Sequence, residues 1–349
     1  MPTEGMPAPS LVVLQSGSEP RPTTNPYVVQ LIRSLRAAGV EVRAFSWKAA
    51  LTGRYDVFHV HWPEGLVRGN TRARTLARQL AVLVLLIRLK ATGTPIVRTL
   101  HNTSRHEGGP RREGLLLGLF DRWTRYGIAL NAHTVPPDGL PTATIPHGHY
   151  RDWYAPYARP EPVAGRLAYF GLIRAYKGVE ELISAFRTLP GAELSLTVSG
   201  RPRTPEIAAE LHRRAAGDER ITLELDYLSD EQLVRRLGEA ELVVLPYRQM
   251  HNSGAALAAL SLDRPVLVPA NPINADLATE VGPGWVRTFT GDLTSEALRV
   301  GLQPLGTTQP SPAPDLSRRE WADTGERHRA AYAEAIRLGS RSRRRLSSG

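Results

Sequence analysis

The sequence has no cysteine in any of its 349 residues. That excludes disulfide scaffolding, thiolate metal sites and a cysteine nucleophile, and it suits a reducing compartment. No apolar run approaches the roughly 20 residues that a helix needs to cross a bilayer. The most apolar stretch, Leu80 to Ile87, is bracketed by Arg78, Arg88 and Lys90. Leu11 to Leu14 is too short for a signal-peptide core. The expected location is therefore cytoplasmic, at most peripheral on the inner face of the membrane. Also missing are a solenoid repeat, a G-x-G-x-x-G after the first strand, zinc-ligand spacing, RNP-type aromatic strands and a helix-turn-helix signal. Nucleic acid is thus not an expected partner, and dinucleotide redox chemistry is not an expected activity. With no Asp-x-Asp pair, no metal site and no cofactor are expected.

What is present is basic and moderately apolar. Apolar residues make up 42%, and 44 Lys and Arg against 34 Asp and Glu leave a formal charge of +10. Such a balance favours anionic partners: phosphorylated substrates or an anionic lipid surface. The length suits two domains.

Along the chain, short apolar runs alternate with stretches of helical period. Leu11–Leu14, Val40–Phe45, Tyr55–Val60 and Thr94–Leu100 read as strands, followed near Ile128–Leu130 and Ala143–Ile145 by two more. Helical patterns start at Pro26 and cover residues 70–91 and 113–125. Residues 151–165, with Pro156, Pro160 and Pro162, read as a linker. A second series follows, with strands near 167–170, 194–199, 221–224, 242–245 and 265–268, and helices near 178–188, 204–215, 229–238, 253–260 and 294–303. This rhythm predicts α/β architecture with two Rossmann-like parallel sheets. The expected domains are 1–155 and 156–316, then a C-terminal helix over 317–338 packing back on the first domain and a disordered basic tail, 339–349.

Ligands of an open parallel sheet bind outside the carboxyl ends of its strands. In the first half those ends carry His61-Trp62-Pro63-Glu64 and His101-Asn102-Thr103-Ser104, with His106 and Glu107 just beyond, and Pro146-His147-Gly148 closes the domain. In the second half the strand at 167–170 runs into Gly171-Leu172-Ile173-Arg174-Ala175-Tyr176-Lys177-Gly178 and then a helix. Glycines let backbone approach a ligand, and cations at a helix start attract anions. The turn is either a diphosphate clamp or a solvated loop. Leu80–Ile87 is likewise either a lipid-interface face or a buried core helix.

Farther on come Ser199-Gly200-Arg201, then Asp226-Tyr227-Leu228 before a helix, Glu241 to Tyr247, and His251-Asn252-Ser253-Gly254 running to Arg264. In this order the segments resemble the donor-binding half of GT-B glycosyltransferases. They are most similar to bacterial exopolysaccharide and glycolipid enzymes that use GDP-mannose and a lipid-linked acceptor. The resemblance covers 166–270 well and the first half loosely. It implies two domains facing a cleft and metal-independent transfer of a hexose from a nucleotide sugar to a lipid-linked or saccharide acceptor, with a UDP-sugar donor or a non-catalytic sugar-nucleotide-binding relative as alternatives. It places the diphosphate on Arg174 and Lys177, and other donor contacts on Gly171, Gly200, Arg201, Tyr227, Leu228 and the segment His251, Asn252, Ser253, Gly254. Tyr247 either lines the sugar pocket or packs. Many relatives carry two glutamates seven residues apart where this chain has His251 and Ala258, which marks a divergent branch.

An inverting transfer also needs a general base. Glu64 is preferred, because Trp62 and Pro63 can desolvate it. His61, His101, His106 and Glu107 are the other candidates, His61 being equally a structural histidine. His101 is as much a sugar or phosphate contact as a base, Asn102 is either a sugar contact or a turn former, and His147 either reaches sugar or phosphate or sits exposed in a tight turn.

Overall fold

The computed structural model describes residues 11–347 apart from 22, 102–110, 249, 253 and 304–311. The chain divides into two compact units, 1–148 with 319–349, and 149–318.

The first unit contains β1 (Val12–Gln15), α1 (Pro26–Ala37), β2 (Glu41–Arg43), α2 (Trp47–Thr52), β3 (Val57–Val60), α3 (Glu64–Val67), α4 (Arg72–Thr92), β4 (Ile96–Leu100), α5 (Arg111–Trp123), β5 (Thr124–Ala129) and β6 (Thr142–Thr144). Its strands form one parallel sheet in the order β2-β1-β3-β4-β5-β6. Both faces are covered, so central strands such as β3 are buried along their length. Strand alternation then sorts the side chains. Val13, Val57 and Val97 pack on one face with Tyr27, Leu31 and Leu35 of α1. Leu14, Phe58 and Ile96 pack on the other with Val82, Leu85 and Leu86 of α4.

The second unit contains α6 (Arg151–Tyr154), β7 (Arg166–Phe170), α7 (Val179–Arg187), β8 (Ser195–Ser199), α8 (Pro205–Ala215), β9 (Ile221–Glu224), α9 (Asp230–Gly238), β10 (Leu242–Val244), α10 (Gly254–Ser261), β11 (Val266–Pro269), α11 (Pro272–Val281), β12 (Val286–Phe289) and α12 (Ser295–Leu302). Its parallel sheet has the order β12-β11-β10-β7-β8-β9 around one core. The last helix, α13 (Trp321–Ser347), returns to the first unit, where Ala331, Tyr332 and Ala335 join the α1 face.

The α/β class and the returning helix agree with expectation, and three boundaries differ. The domain boundary lies at 148/149, not 155/156. Tyr150 and Tyr154 belong to the second core, and Trp153 Nε1 donates to Asp230 Oδ2 at 2.9 Å, which draws the proline-containing stretch into the second unit. The backbone of 339–347, expected to be disordered, continues α13, and that helix begins at Trp321 rather than 317. The helix expected over 113–125 ends at Trp123, and β-favouring Thr124 and Tyr126 already belong to β5. Strand β12 and helix α11 were not anticipated. Val286–Phe289 alternates too briefly to stand out, and α11 is announced only by Asn271 capping Asn274 N–H at 2.8 Å ahead of Pro272.

Candidate active site

In the second unit the strand order reverses between β7 and β10, since β7 pairs with β8 on one side and β10 on the other. The loops leaving these two strands must therefore lie side by side, and such a reversal opens a ligand crevice in parallel sheets. The loop after β7 is the Gly171–Gly178 turn. The loop after β10 carries Tyr247 and Arg248.

Close backbone contacts tie these loops together. Gly200, at φ +142°, has no room for a side chain, because a Cβ there would collide with the Gly171 carbonyl oxygen. Gly178, at φ +67°, faces the Pro246 carbonyl in the same way. Ile173 N–H donates to Arg201 O and Arg203 N–H to Ile173 O, each at 3.0 Å. Arg248 N–H donates to Tyr176 O at 3.0 Å. The turn thus rests on two neighbouring loops and does not project alone.

Its cations are placed for an anion. Lys177 Nζ donates to the Tyr247 hydroxyl at 3.2 Å and lies 4.6 Å from the ring centroid. Burial, with Arg174 nearby, pushes its pKa down to about 8. A depressed ammonium beside a second cation is relieved by a negative ligand. Arg248, the other cation at this edge, is held by Glu181. Neither Arg174 nor Lys177 has a carboxylate partner among the described residues. Arg201 is exposed beside Gly200, and Tyr227 is exposed ahead of α9, with Leu228 half-buried. Tyr247 is buried against Lys177. His251 and Asn252 are half-buried ahead of α10, whose first described residue is Gly254; Ser253 lies outside the described residues. Ala258 is packed in the core, where a glutamate's charge would be desolvated.

The first unit assembles a different site. Its strand order reverses between β1 and β3. Gln15 and His59 are register partners, and His61, Thr99 and His101 have the parity that turns them to the α1 and α13 face. The result is a connected polar ladder. Gln15 Nε2 lies 3.1 Å from His59 Nδ1, and Gln15 Oε1 lies 3.0 Å from His61 Nε2. His61 Nδ1 is 3.3 Å from His101 Nε2, and His59 Nε2 is 2.8 Å from Thr99 Oγ1. From α13, the Tyr332 hydroxyl reaches His59 Nδ1 at 2.8 Å, and His328 Nδ1 donates to Thr324 O at 2.7 Å.

Every imidazole in this group is held neutral. Burial is the main cause, lowering His61 to about 3 and His328 and His147 to about 4, and His59 and His101 well below the usual value. Repulsion from neighbouring imidazoles adds to it for His59, His61 and His101. His61 and His59 are buried, whereas His101 is half-buried beneath the exposed Trp62, stacked at 4.4 Å and 17°. His147 donates from Nδ1 to Gly148 O at 2.7 Å and lies 4.3 Å from the Tyr27 ring. Glu64 opens α3, half-buried, and its carboxylate makes no ion pair among the described residues. Asn102, Ser104, His106 and Glu107 lie outside those residues. Gln15, His59, Thr99 and Tyr332 were missed from sequence; the shared strand parity of 15, 59, 61, 99 and 101 was the available signal.

No family model matches the sequence. Two curated proteins from Xanthomonas campestris pv. campestris do, both named GDP-mannose:glycolipid 4-beta-D-mannosyltransferase. Each is 46% identical over 334 residues, covering 96% of this chain and 95% of the relative. Among solved structures, Anabaena HepE in complex with UDP and glucose superposes with a TM-score of 0.59 at 16% identity, over 97% of this chain and all of that one. The sucrose-phosphate synthase of Thermosynechococcus elongatus gives 0.58 at 16% identity over the same shares. The fold is that of GT-B glycosyltransferases.

Proposed function

Because this chain belongs to the GDP-mannose:glycolipid 4-beta-D-mannosyltransferase family, we propose that it transfers mannose from GDP-mannose to a hydroxyl of a lipid-linked saccharide, without a metal ion. The observation that supports this reading is at the β7/β10 reversal: two cations without carboxylate partners among the described residues, one of them depressed by burial, on a backbone with close approaches at Gly178 and Gly200.

In GDP-mannose the sugar is α-linked, so a β product requires inversion in a single displacement. The acceptor oxygen bonds to the anomeric carbon as the bond to GDP breaks, and GDP leaves with the electron pair. Arg174 and Lys177 meet the charge that grows on the diphosphate, and each charge-assisted hydrogen bond contributes about 1.5–3 kcal/mol. Gly171, Gly200 and the start of α10 at Gly254 give the backbone approach. Arg201, Tyr227, Leu228, His251 and Asn252 contact the nucleotide and sugar. The acceptor's proton passes to a general base, for which Glu64 and His101 are the candidates among the described residues.

The test is a thermal-shift panel with GDP, UDP and their sugars, followed by a transfer assay. GDP and GDP-mannose are expected to raise the melting temperature more than the uridine compounds. A larger shift with UDP would move the donor to a UDP-sugar, and ligand binding with neither hydrolysis nor transfer would leave a non-catalytic relative.

The lipid acceptor calls for a protein held at an anionic bilayer surface, and α4 supports that partner. No described helix is long and apolar enough to cross a membrane. Yet α4 is apolar on both sides. Val82, Leu85, Leu86 and Leu89 fill the core, while Leu76, Leu80, Leu83 and Ile87 lie exposed on the opposite stripe, Leu80 at 58% and Ile87 at 54%. Arg72 and Lys90 bracket the stripe. A cavity of about 410 Å³ beside its end is lined by Lys90, Arg122, Arg125 and Trp123. Exposed apolar area next to cations is what an anionic lipid interface takes. The protein is expected to sediment with anionic vesicles at low salt and to lose this on Leu80→Glu with Ile87→Glu. Equal sedimentation of that variant would remove α4 from the membrane contact.

A further inference from the structure

The cavity beside the end of α4 lies at the opposite end of the first sheet from the histidines. Its volume, about 410 Å³, falls within the range of small-ligand sites, about 300–1,000 Å³. Ile96 and Thr124, the first residues of β4 and β5, line it, whereas His101 follows the last residue of β4. Five residue steps along a strand put these two levels roughly 16 Å apart. The floor is apolar: Leu86, Leu89 and Ile96 are buried, and Leu338 of α13 lines it beside them. The rim is cationic, with Lys90, Arg122 and Arg125, and no carboxylate is among the described residues that line it. Lys90 Nζ lies 4.9 Å from the centroid of the Trp123 ring. A Cβ at Gly339 would lie 3.6 Å from Arg125 Nη1, so this guanidinium rests against α13.

The exposed stripe of α4 leads to the rim. Leu76, Leu80, Leu83 and Ile87 recur at helical spacing, and Lys90 continues the series, so all five share one exposed face. Ile87 and Lys90 are about 4.5 Å apart along the axis. The turns of α13 after Leu338 carry Arg341, Arg343, Arg344 and Arg345 in sequence, which raises the positive potential at this end. Lys90 and Arg122 stand in the last turns of α4 and α5, where any cation complements the helix dipole. The dipole accounts neither for Arg125, which is on β5, nor for a lining without carboxylates.

We propose that this pocket binds the phosphate headgroup of one acidic phospholipid, whose acyl chains lie along Leu80, Leu83 and Ile87. This rests on the bilayer contact of α4 and gives it a discrete site in place of a diffuse attraction between a basic surface and an anionic bilayer. A phosphodiester brings one negative charge and acceptor oxygens that planar guanidiniums meet in pairs. A soluble phosphate would meet the cations but leave the apolar floor and stripe uncovered. A neutral lipid would cover the stripe but leave the cations unmet. Trp123, half-buried and beside Lys90, suits the boundary between headgroup and chain. No residue assigned to donor or acceptor lines the pocket, so lipid and nucleotide do not compete.

The first readout uses no bilayer, so diffuse surface attraction is absent. Dihexanoyl phosphatidylglycerol, kept below its micelle concentration, is titrated into the whole protein while the Trp123 indole N–H resonance, assigned by Trp123→Phe, is followed. A saturable shift is expected. Dihexanoyl phosphatidylcholine, with chains but no net charge, and glycerol phosphate, with charge but no chains, should each bind about tenfold more weakly or worse. Lys90→Gln with Arg122→Gln should weaken phosphatidylglycerol about tenfold. Removing the same charge elsewhere in the first unit, by Arg36→Gln with Lys48→Gln, should change it less than about twofold. Both double variants should keep the wild-type thermal shift with GDP. If the first melts below the wild type, Arg122→Glu alone carries the comparison. Equal affinity for glycerol phosphate would make this a site for soluble phosphates and overturn the proposal. So would equal losses in the two double variants, or a shift confined to other tryptophans. Absence of binding by all three compounds would leave the cations as complements of their helix ends, and overturns it too. Failure of the bilayer reading would instead appear as wild-type protein that binds the short-chain lipid at Trp123 but does not sediment with vesicles of phosphatidylcholine and phosphatidylglycerol.

Discussion

The two units face the same physical problem, charge at the carboxyl ends of a parallel sheet, and answer it in opposite ways. The second keeps two cations without carboxylate partners among the described residues and packs backbone around them. The first removes charge, burying imidazoles that stay neutral and bond to one another. The proposed mannosyl transfer would ask for both settings, cations to meet a departing diphosphate and a neutral base to take a hydroxyl proton. Anion binding profits from cations that nothing else neutralises. Proton transfer profits from a neutral nitrogen whose lone pair is defined.

The largest way to break the comparison is acid. His59, His61, His101, His147 and His328 all have folded-state pKa values below the usual 6.5, and all lie in the first unit. Below pH 6.5 the unfolded chain takes up protons that the folded unit refuses, so stability is lost as pH falls. Each pH unit over which one histidine withholds its proton costs about 1.4 kcal/mol. Hydrogen exchange between pH 6.5 and 4 should therefore show the first unit opening before the second. Simultaneous opening would mean that the buried histidines do not set acid stability. Lys177 has the same sign in a higher window: its pKa is depressed from 10.5 to about 8, so its burial costs stability below about pH 8 and that cost fades as pH rises to 10.5.

Next in size is Lys177→Ala, expected to lower turnover at least tenfold, as about 1.4 kcal/mol of lost leaving-group stabilisation implies. Full activity in the folded variant would remove the clamp. Tyr332→Phe, which deletes the hydroxyl on His59, should cost about 1 kcal/mol in denaturant melts and open the first unit alone. A change in the second unit would contradict the separation. The smallest effect is expected for Arg248→Ala. This cation already belongs to Glu181, so turnover should stay within about twofold. A loss as large as that of Lys177→Ala would show that carboxylate pairing does not distinguish these cations.

The same contrast governs what was legible beforehand. Gly171, Arg174, Lys177 and Gly178 lie in one stretch of chain between a strand and a helix, so a local reading finds them. Tyr247 was named, but its bond to Lys177 depends on β7 and β10 being neighbours, which only sheet order decides. In the first unit His61 and His101 stood out as polar residues at strand ends, whereas Gln15 looked like an ordinary end of β1. Tyr332 is 273 residues from the histidine it touches, and no local pattern links them. Leu80–Ile87 had been open between core and lipid face; α4 buries one side and leaves the other exposed, which a single apolar run cannot distinguish. That position 258 is an alanine was visible, but that it is packed in the core was not.

The sequence alone determined that this chain makes two series of parallel strands and helices, because apolar period and glycine punctuation act locally. It also determined which turn gathers cations, because those residues are neighbours in the chain. Only the tertiary structure decided that five imidazoles are buried in one unit and held neutral there. The reason is physical: a side chain's protonation follows from what is packed around it, and here the neighbours come from three strands and a helix far apart in the chain.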